Sequence, residues 1–147
     1  MTKYTVAQIE QYRTRAIKLG LSASDNYWKM PTATLAEICN GYGPDRWPES
    51  LRDVLTWIYR HMPIASQIHD ERYEASNGMA DARFAADEEM LANMRIEVKS
   101  EYPLWKIHRL GRRWAELAKA EAAYLALRRS GSKAWMDAYQ KKRIAQK

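Results

Sequence analysis

The sequence predicts an all-α protein, on three observations. Apolar residues recur at helical spacing along most of the chain. No run alternates at the two-residue period of a strand between turn residues, and each of the 5 prolines stands at a joint between helical segments. A length of 147 residues with 46% hydrophobic side chains fits one domain with a real core. Within it, residues 1–37 read as an N-terminal helix and linker, 38–100 as the core, and 101–147 as basic C-terminal helices.

Thr5 and Gln8 form a capping box, after which Val6, Ile9, Tyr12, Ala16 and Ile17 keep a helical period until Gly20. Residues 21–33 are polar and broken by Pro31. Thr34 and Glu37 then cap a short helix to Cys39. Asn40-Gly41-Tyr42-Gly43-Pro44-Asp45 reads as an ordered turn with unusual backbone angles. Pro48 suits the first turn of a helix whose Leu51, Val54, Leu55 and Ile58 predict one buried stripe.

Pro63 opens the next helix, residues 64 to about 75, and Asn77-Gly78 is the turn. A long helix follows from Ala80 through Phe84, Leu91, Met94 and Val98 to the break at Tyr102-Pro103. Another runs from Leu104 to Arg129, Ser130-Gly131-Ser132 predicts an interruption, and a last helix holds Trp135, Tyr139 and Ile144.

The formal net charge of +6 is uneven: residues 1–100 carry 12 Lys and Arg against 14 Asp and Glu, residues 101–147 carry 12 against 4. A near-neutral body with a basic tail points to an anionic partner for the tail, a phospholipid or anionic membrane surface ahead of nucleic acid, for which no motif is present. One cysteine excludes an internal disulfide, and no segment has the roughly 18 uninterrupted apolar residues of a membrane span. The expectation is a cytoplasmic protein, in a host cytoplasm or associated with a virion. The spacing of the six tryptophans predicts core packing for most, with Trp47 as an interfacial anchor, and His61 and His108 read as structural or solvated.

His69 and Tyr73, four apart, share one helix face, with Asp70 about 100° round from them. A Gly-x-Gly loop lies upstream, and Asp81 follows the next turn. Together, Asn40-Gly41-Tyr42-Gly43-Pro44, His69-Asp70-Glu71-Arg72-Tyr73 and Ala80-Asp81-Ala82-Arg83-Phe84 resemble the phospholipase A2 superfamily, closest to its small bacterial, viral and phage-borne members. The resemblance covers roughly residues 38–95.

It implies a phospholipase A2-like core with an antiparallel catalytic helix pair, and calcium-dependent hydrolysis of phospholipid ester bonds. His69 would be the base that deprotonates water, Asp81 would orient its far nitrogen, and Tyr73 would hydrogen-bond Asp81. Asp70 and the backbone carbonyls of Gly41, Tyr42 and Gly43 would bind Ca2+, which polarises the ester carbonyl. Two geometries stay open. Asp81 serves if the first helix ends near Glu74 and the second starts near Asp81, and Asp87 serves if the first helix runs on to Asn77. A rival reading keeps the scaffold without catalysis: a phage protein using its basic helices on a host protein, nucleic acid or anionic membrane.

Overall fold

The computed structural model describes residues 4–39 and 49–145. Among these the chain is all-helical: α1 (Val6–Leu19), α2 (Asp25–Lys29), α3 (Thr32–Ile38), α4 (Glu49–Ile58), α5 (Pro63–Glu74), α6 (Ala80–Glu101), a 3₁₀ turn (Ile107–Arg109) and α7 (Leu110–Ala145). No described helix is long and apolar enough to cross a membrane. The glycine loop around Gly41, Tyr42 and Gly43, and Trp47 after it, lie outside the described residues.

Helix α5 is the centre of the molecule, and every residue from Pro63 to His69 is buried. On one side Met62 and Ala65 join Met90, Met94 and Val98 of α6 and Ala120 and Ala123 of α7. On the other, Ile64 and Ile68 meet Ile9 and Ala16 of α1, Tyr27 of α2 and Leu35 of α3. A 12-residue helix enclosed in this way must also bury its polar positions, and Ser66, Gln67, His69 and Glu71 are all inside. Each therefore needs a partner or a reason to lack one.

Several partners come from far along the chain. Pro63 supplies the preset first turn of α5, but no local side chain caps it. The fully buried Glu97 of α6 accepts instead from the amides of Ile64 (3.2 Å) and Ala65 (2.8 Å), which puts a carboxylate at the positive end of the helix dipole. Glu71 accepts from Ser24 Oγ and Asn26 Nδ2, each at 2.7 Å, and so ties α2 to α5. Asn93 grips the backbone of Ser22, accepting from its amide at 3.0 Å and donating to its carbonyl at 2.7 Å. These long-range bonds fix how the N-terminal helices sit on the α5–α6 pair.

Burial pushes the Glu97 carboxyl up to about 7, against an ordinary 4.5, although the two amides pull the other way. Between those values the native state holds a proton that the unfolded chain has released, so this group's contribution to stability falls as pH rises from 4.5 to 7. The loss is on the order of 2–3 kcal/mol. Urea unfolding across that range should show wild type losing stability relative to Glu97→Gln by about that amount. Parallel curves for the two proteins would mean that Glu97 is ionised throughout.

The caps of α1 form as expected. Thr5 Oγ1 accepts from the Gln8 amide at 3.2 Å, Gln8 Oε1 accepts from the Thr5 amide at 2.9 Å, and Gly20 ends the helix at φ +65°. Four expectations are corrected. The polar stretch 21–33 contains α2, capped by Ser24, whose hydroxyl accepts from the Tyr27 amide at 2.8 Å. Helix α3 begins at Thr32, behind Pro31, rather than at a Thr34 cap. In α4, Leu51 and Val54 are exposed and Leu55 alone of the stripe packs on the core, because α6 and α7 already cover that side of α5. Finally, Ser130-Gly131-Ser132 does not interrupt the last helix, since α7 runs unbroken through it.

Candidate functional site

Helices α5 and α6 run antiparallel, and the step between them sets which residues face each other. His69 stands five residues, about 7.5 Å of helix rise, above the end of α5 at Glu74, whereas Asp81 is only about 1.5 Å above the start of α6. Asp87 is about 10.5 Å above that start, near the level of His69. The structure accordingly pairs His69 Nε2 with Asp87 Oδ1 at 3.0 Å. Asp81 is exposed in the first turn of α6 and has no bond to His69. Of the two carboxylates left open by the sequence, Asp87 and not Asp81 is therefore the one that lies against His69. The helix ends at Glu74, as the Asp81 geometry required, yet the rise along the two helices selects Asp87.

Two further groups complete the surroundings of Asp87, which is fully buried. Tyr73 donates its hydroxyl to the same Oδ1 at 2.9 Å, and its ring lies 4.2 Å from the His69 ring, centroid to centroid. Arg83, one turn before Asp87 on α6, places Nη1 3.8 Å from Oδ2 while donating to the Leu127 carbonyl of α7 at 3.2 Å. Oδ2 itself has no hydrogen bond. The phenol of Tyr73 is pushed well above its ordinary range by burial and by the Asp87 charge, so it stays protonated and donates.

With Asp87 as a carboxylate, one tautomer of His69 satisfies the contact. An ionised carboxylate only accepts, so the His69 nitrogen that faces Oδ1 must carry the proton. The other ring nitrogen, Nδ1, then holds a lone pair in the neutral ring. No described residue bonds to it. A base held in one tautomer by a buried carboxylate, with its second nitrogen left over, is the arrangement required to take a proton from water or a hydroxyl.

Helix α7 closes the site from a third side. Trp135 packs edge-on against Tyr73 with centroids 5.0 Å apart, and its carbonyl accepts from Ser76 Oγ at 3.0 Å. Gly131, one turn earlier, lets the α7 backbone approach. A Cβ there would lie 2.6 Å from the Tyr73 hydroxyl and 3.3 Å from Arg83 Nη1. Reading Gly131 as a break missed this role. The signal was a lone glycine inside a run that is otherwise helix-forming, which marks a close approach as readily as an end.

Asp70 is half-buried on the adjoining face of α5. Its negative charge acts on Tyr4 and on Cys39, adding to the burial that holds both groups well above their ordinary ranges. Among the described residues no group of three or more His, Cys, Asp and Glu is arranged to hold a metal.

A second histidine also finds a carboxylate. His61 Nδ1 lies 2.7 Å from Glu101 Oε1 and 3.3 Å from the Tyr102 hydroxyl, at the far end of the same helix pair. Glu101 is 40 residues from His61, so no local spacing marks the pair. No known protein family, curated protein or solved structure matches this chain.

Proposed function

We propose that the protein hydrolyses phospholipid ester bonds, with His69 as the base that activates water. The observation that carries this reading is the pairing of His69 Nε2 with the buried Asp87, which leaves Nδ1 as the lone-pair nitrogen. Asp87 holds the ring and stabilises the imidazolium that forms when the proton is taken, and Tyr73 holds Asp87. Asp70, with carbonyls of Gly41, Tyr42 and Gly43, would bind a calcium ion that supplies positive charge for the developing oxyanion. The active protein is then a small calcium-dependent lipid hydrolase, as the resemblance of the sequence to phospholipase A2 implies.

The site's burial favours a second reading. A fully buried Asp87 bonded to His69 and Tyr73 also serves as a polar lock that sets the register of α5 against α6, in a protein whose exposed basic residues bind an anionic partner without catalysis.

Calcium separates the two. With a fluorescent phospholipid, wild type should release fatty acid in calcium and stop in chelator. Asp70→Ala should lose both calcium binding by titration calorimetry and the calcium-dependent rate, while its melting temperature stays within a few degrees of wild type. Unchanged calcium affinity in Asp70→Ala, or no release by wild type at any calcium concentration, would favour the lock.

A further inference from the structure

The connection between α6 and α7 presents apolar side chains to solvent on an ordered corner. Tyr102 and Pro103 are buried beneath it, and hydrogen bonds donated by the Lys106 amide to the Pro103 carbonyl (3.1 Å) and by the Arg109 amide to the Lys106 carbonyl (2.8 Å) fix its path. Above these, Leu104 is 61% exposed, Trp105 80% and Ile107 76%, and Trp114 at the start of α7 is 66% exposed. Single exposed apolar residues are ordinary, but four large ones within eleven residues are a concentration that calls for a partner.

Cations are interleaved with them. Lys106, Arg109 and Arg112 are exposed, and no acidic residue occurs between Tyr102 and Ala115. Arg113 is different: it is buried, and Nη1 donates to the Tyr102 carbonyl at 2.7 Å, so it holds the corner rather than offering charge. Arg128 is likewise engaged, stacked 3.7 Å over the Phe84 ring.

We propose that this corner is an anchor for anionic lipid bilayers. Leu104, Trp105 and Ile107 enter the boundary between headgroups and acyl chains, while Lys106, Arg109 and Arg112 meet lipid phosphates. Indole is favoured at that boundary because it is apolar with one polar N–H, and the flanking cations reach the anionic surface. Nucleic acid would use the cations but has no place for solvent-facing Leu and Ile. A second copy docked about a two-fold axis would set Lys106, Arg109 and Arg112 against their own counterparts. The anchor does not rest on the hydrolase reading.

The test uses the full chain and vesicles of ether-linked phosphatidylglycerol and phosphatidylcholine, which contain no ester to hydrolyse. Wild type should co-sediment at low salt and weaken as salt rises, since such attraction is screened over about 8–10 Å at physiological ionic strength. Trp105→Ser combined with Ile107→Ser, and separately the reversal of Lys106, Arg109 and Arg112 to Glu, should each weaken binding by on the order of a hundredfold. Melting temperatures should not change, because these side chains are exposed. Lys141→Glu with Lys142→Glu, roughly 40 Å further along α7, should have little effect. Bromination of the alkyl chains should quench wild-type fluorescence much more than that of Trp105→Phe. Unchanged binding by either corner variant, an equal loss from the Lys141 and Lys142 pair, tighter binding to duplex DNA at equal phosphate, or a wild-type dimer that the corner variants dissolve would each overturn the anchor.

Discussion

Asp87→Asn should lower any ester hydrolysis by about ten-thousandfold, the scale on which a carboxylate partner supports a catalytic histidine. The geometry gives two reasons. Asparagine can present an amide nitrogen as well as an oxygen, so the ring is no longer held in the tautomer that leaves a lone pair on Nδ1. In addition, the carboxylate charge that stabilises the imidazolium is gone. The same change removes the anion beside the buried Arg83 and should cost about 1–3 kcal/mol of stability, and Asp87→Ala about 3–5 kcal/mol. Asp81→Asn, at an exposed position, should change neither rate nor stability. Rates on lipid and urea unfolding of the three variants check this, and equal effects at Asp81 and Asp87 would detach the carboxylate from the mechanism.

Gly131→Ala should destabilise by about 1–3 kcal/mol even though alanine is the better helix former by about 1 kcal/mol. The new methyl would meet the Tyr73 hydroxyl at 2.6 Å. Tyr73 cannot step aside freely, because Trp135 packs on its ring and Asp87 holds its hydroxyl. Gly111, also on α7, has open space where its Cβ would be, so Gly111→Ala should leave stability unchanged or raise it by a few tenths of a kcal/mol. Opposite signs for one substitution at two glycines of one helix would show that contact with Tyr73 decides the cost. Equal signs would show that helix propensity decides it.

The parts of the fold legible in the sequence are those set by neighbouring residues. The capping box at Thr5, the stop at Gly20, the start of α5 at Pro63 and the long run of α6 from Ala80 to the break before Pro103 depend on local chemistry, and they form as read. Positions decided by packing were not legible. Whether the stripe of α4 is buried depends on which surfaces of α5 remain open. Three of the five described tryptophans, Trp57, Trp105 and Trp114, are exposed against the expectation of core packing, and Trp135 is buried against Tyr73.

The site was half legible for the same reason. His69 and Tyr73 share a face by helix spacing alone, so their association could be read directly. Their carboxylate partner depends on the rise along two antiparallel helices, where an error of one or two turns exchanges Asp81 for Asp87. Glu97, Glu71 and Asn93, which bind the helices together, lie 32, 47 and 71 residues from the groups they hold, and no local pattern marks them.

Lipid hydrolysis by His69→Gln decides whether His69 is a base or only a member of a buried lock. Glutamine keeps a polar donor near Asp87 and removes the basic nitrogen, so the variant can remain folded while losing the chemistry. In calcium, with a fluorescent phospholipid and with thermal melts confirming that both proteins are folded, wild type should turn the substrate over and His69→Gln should show no rate above the protein-free control. Turnover by folded His69→Gln at more than a small fraction of the wild-type rate would contradict the account.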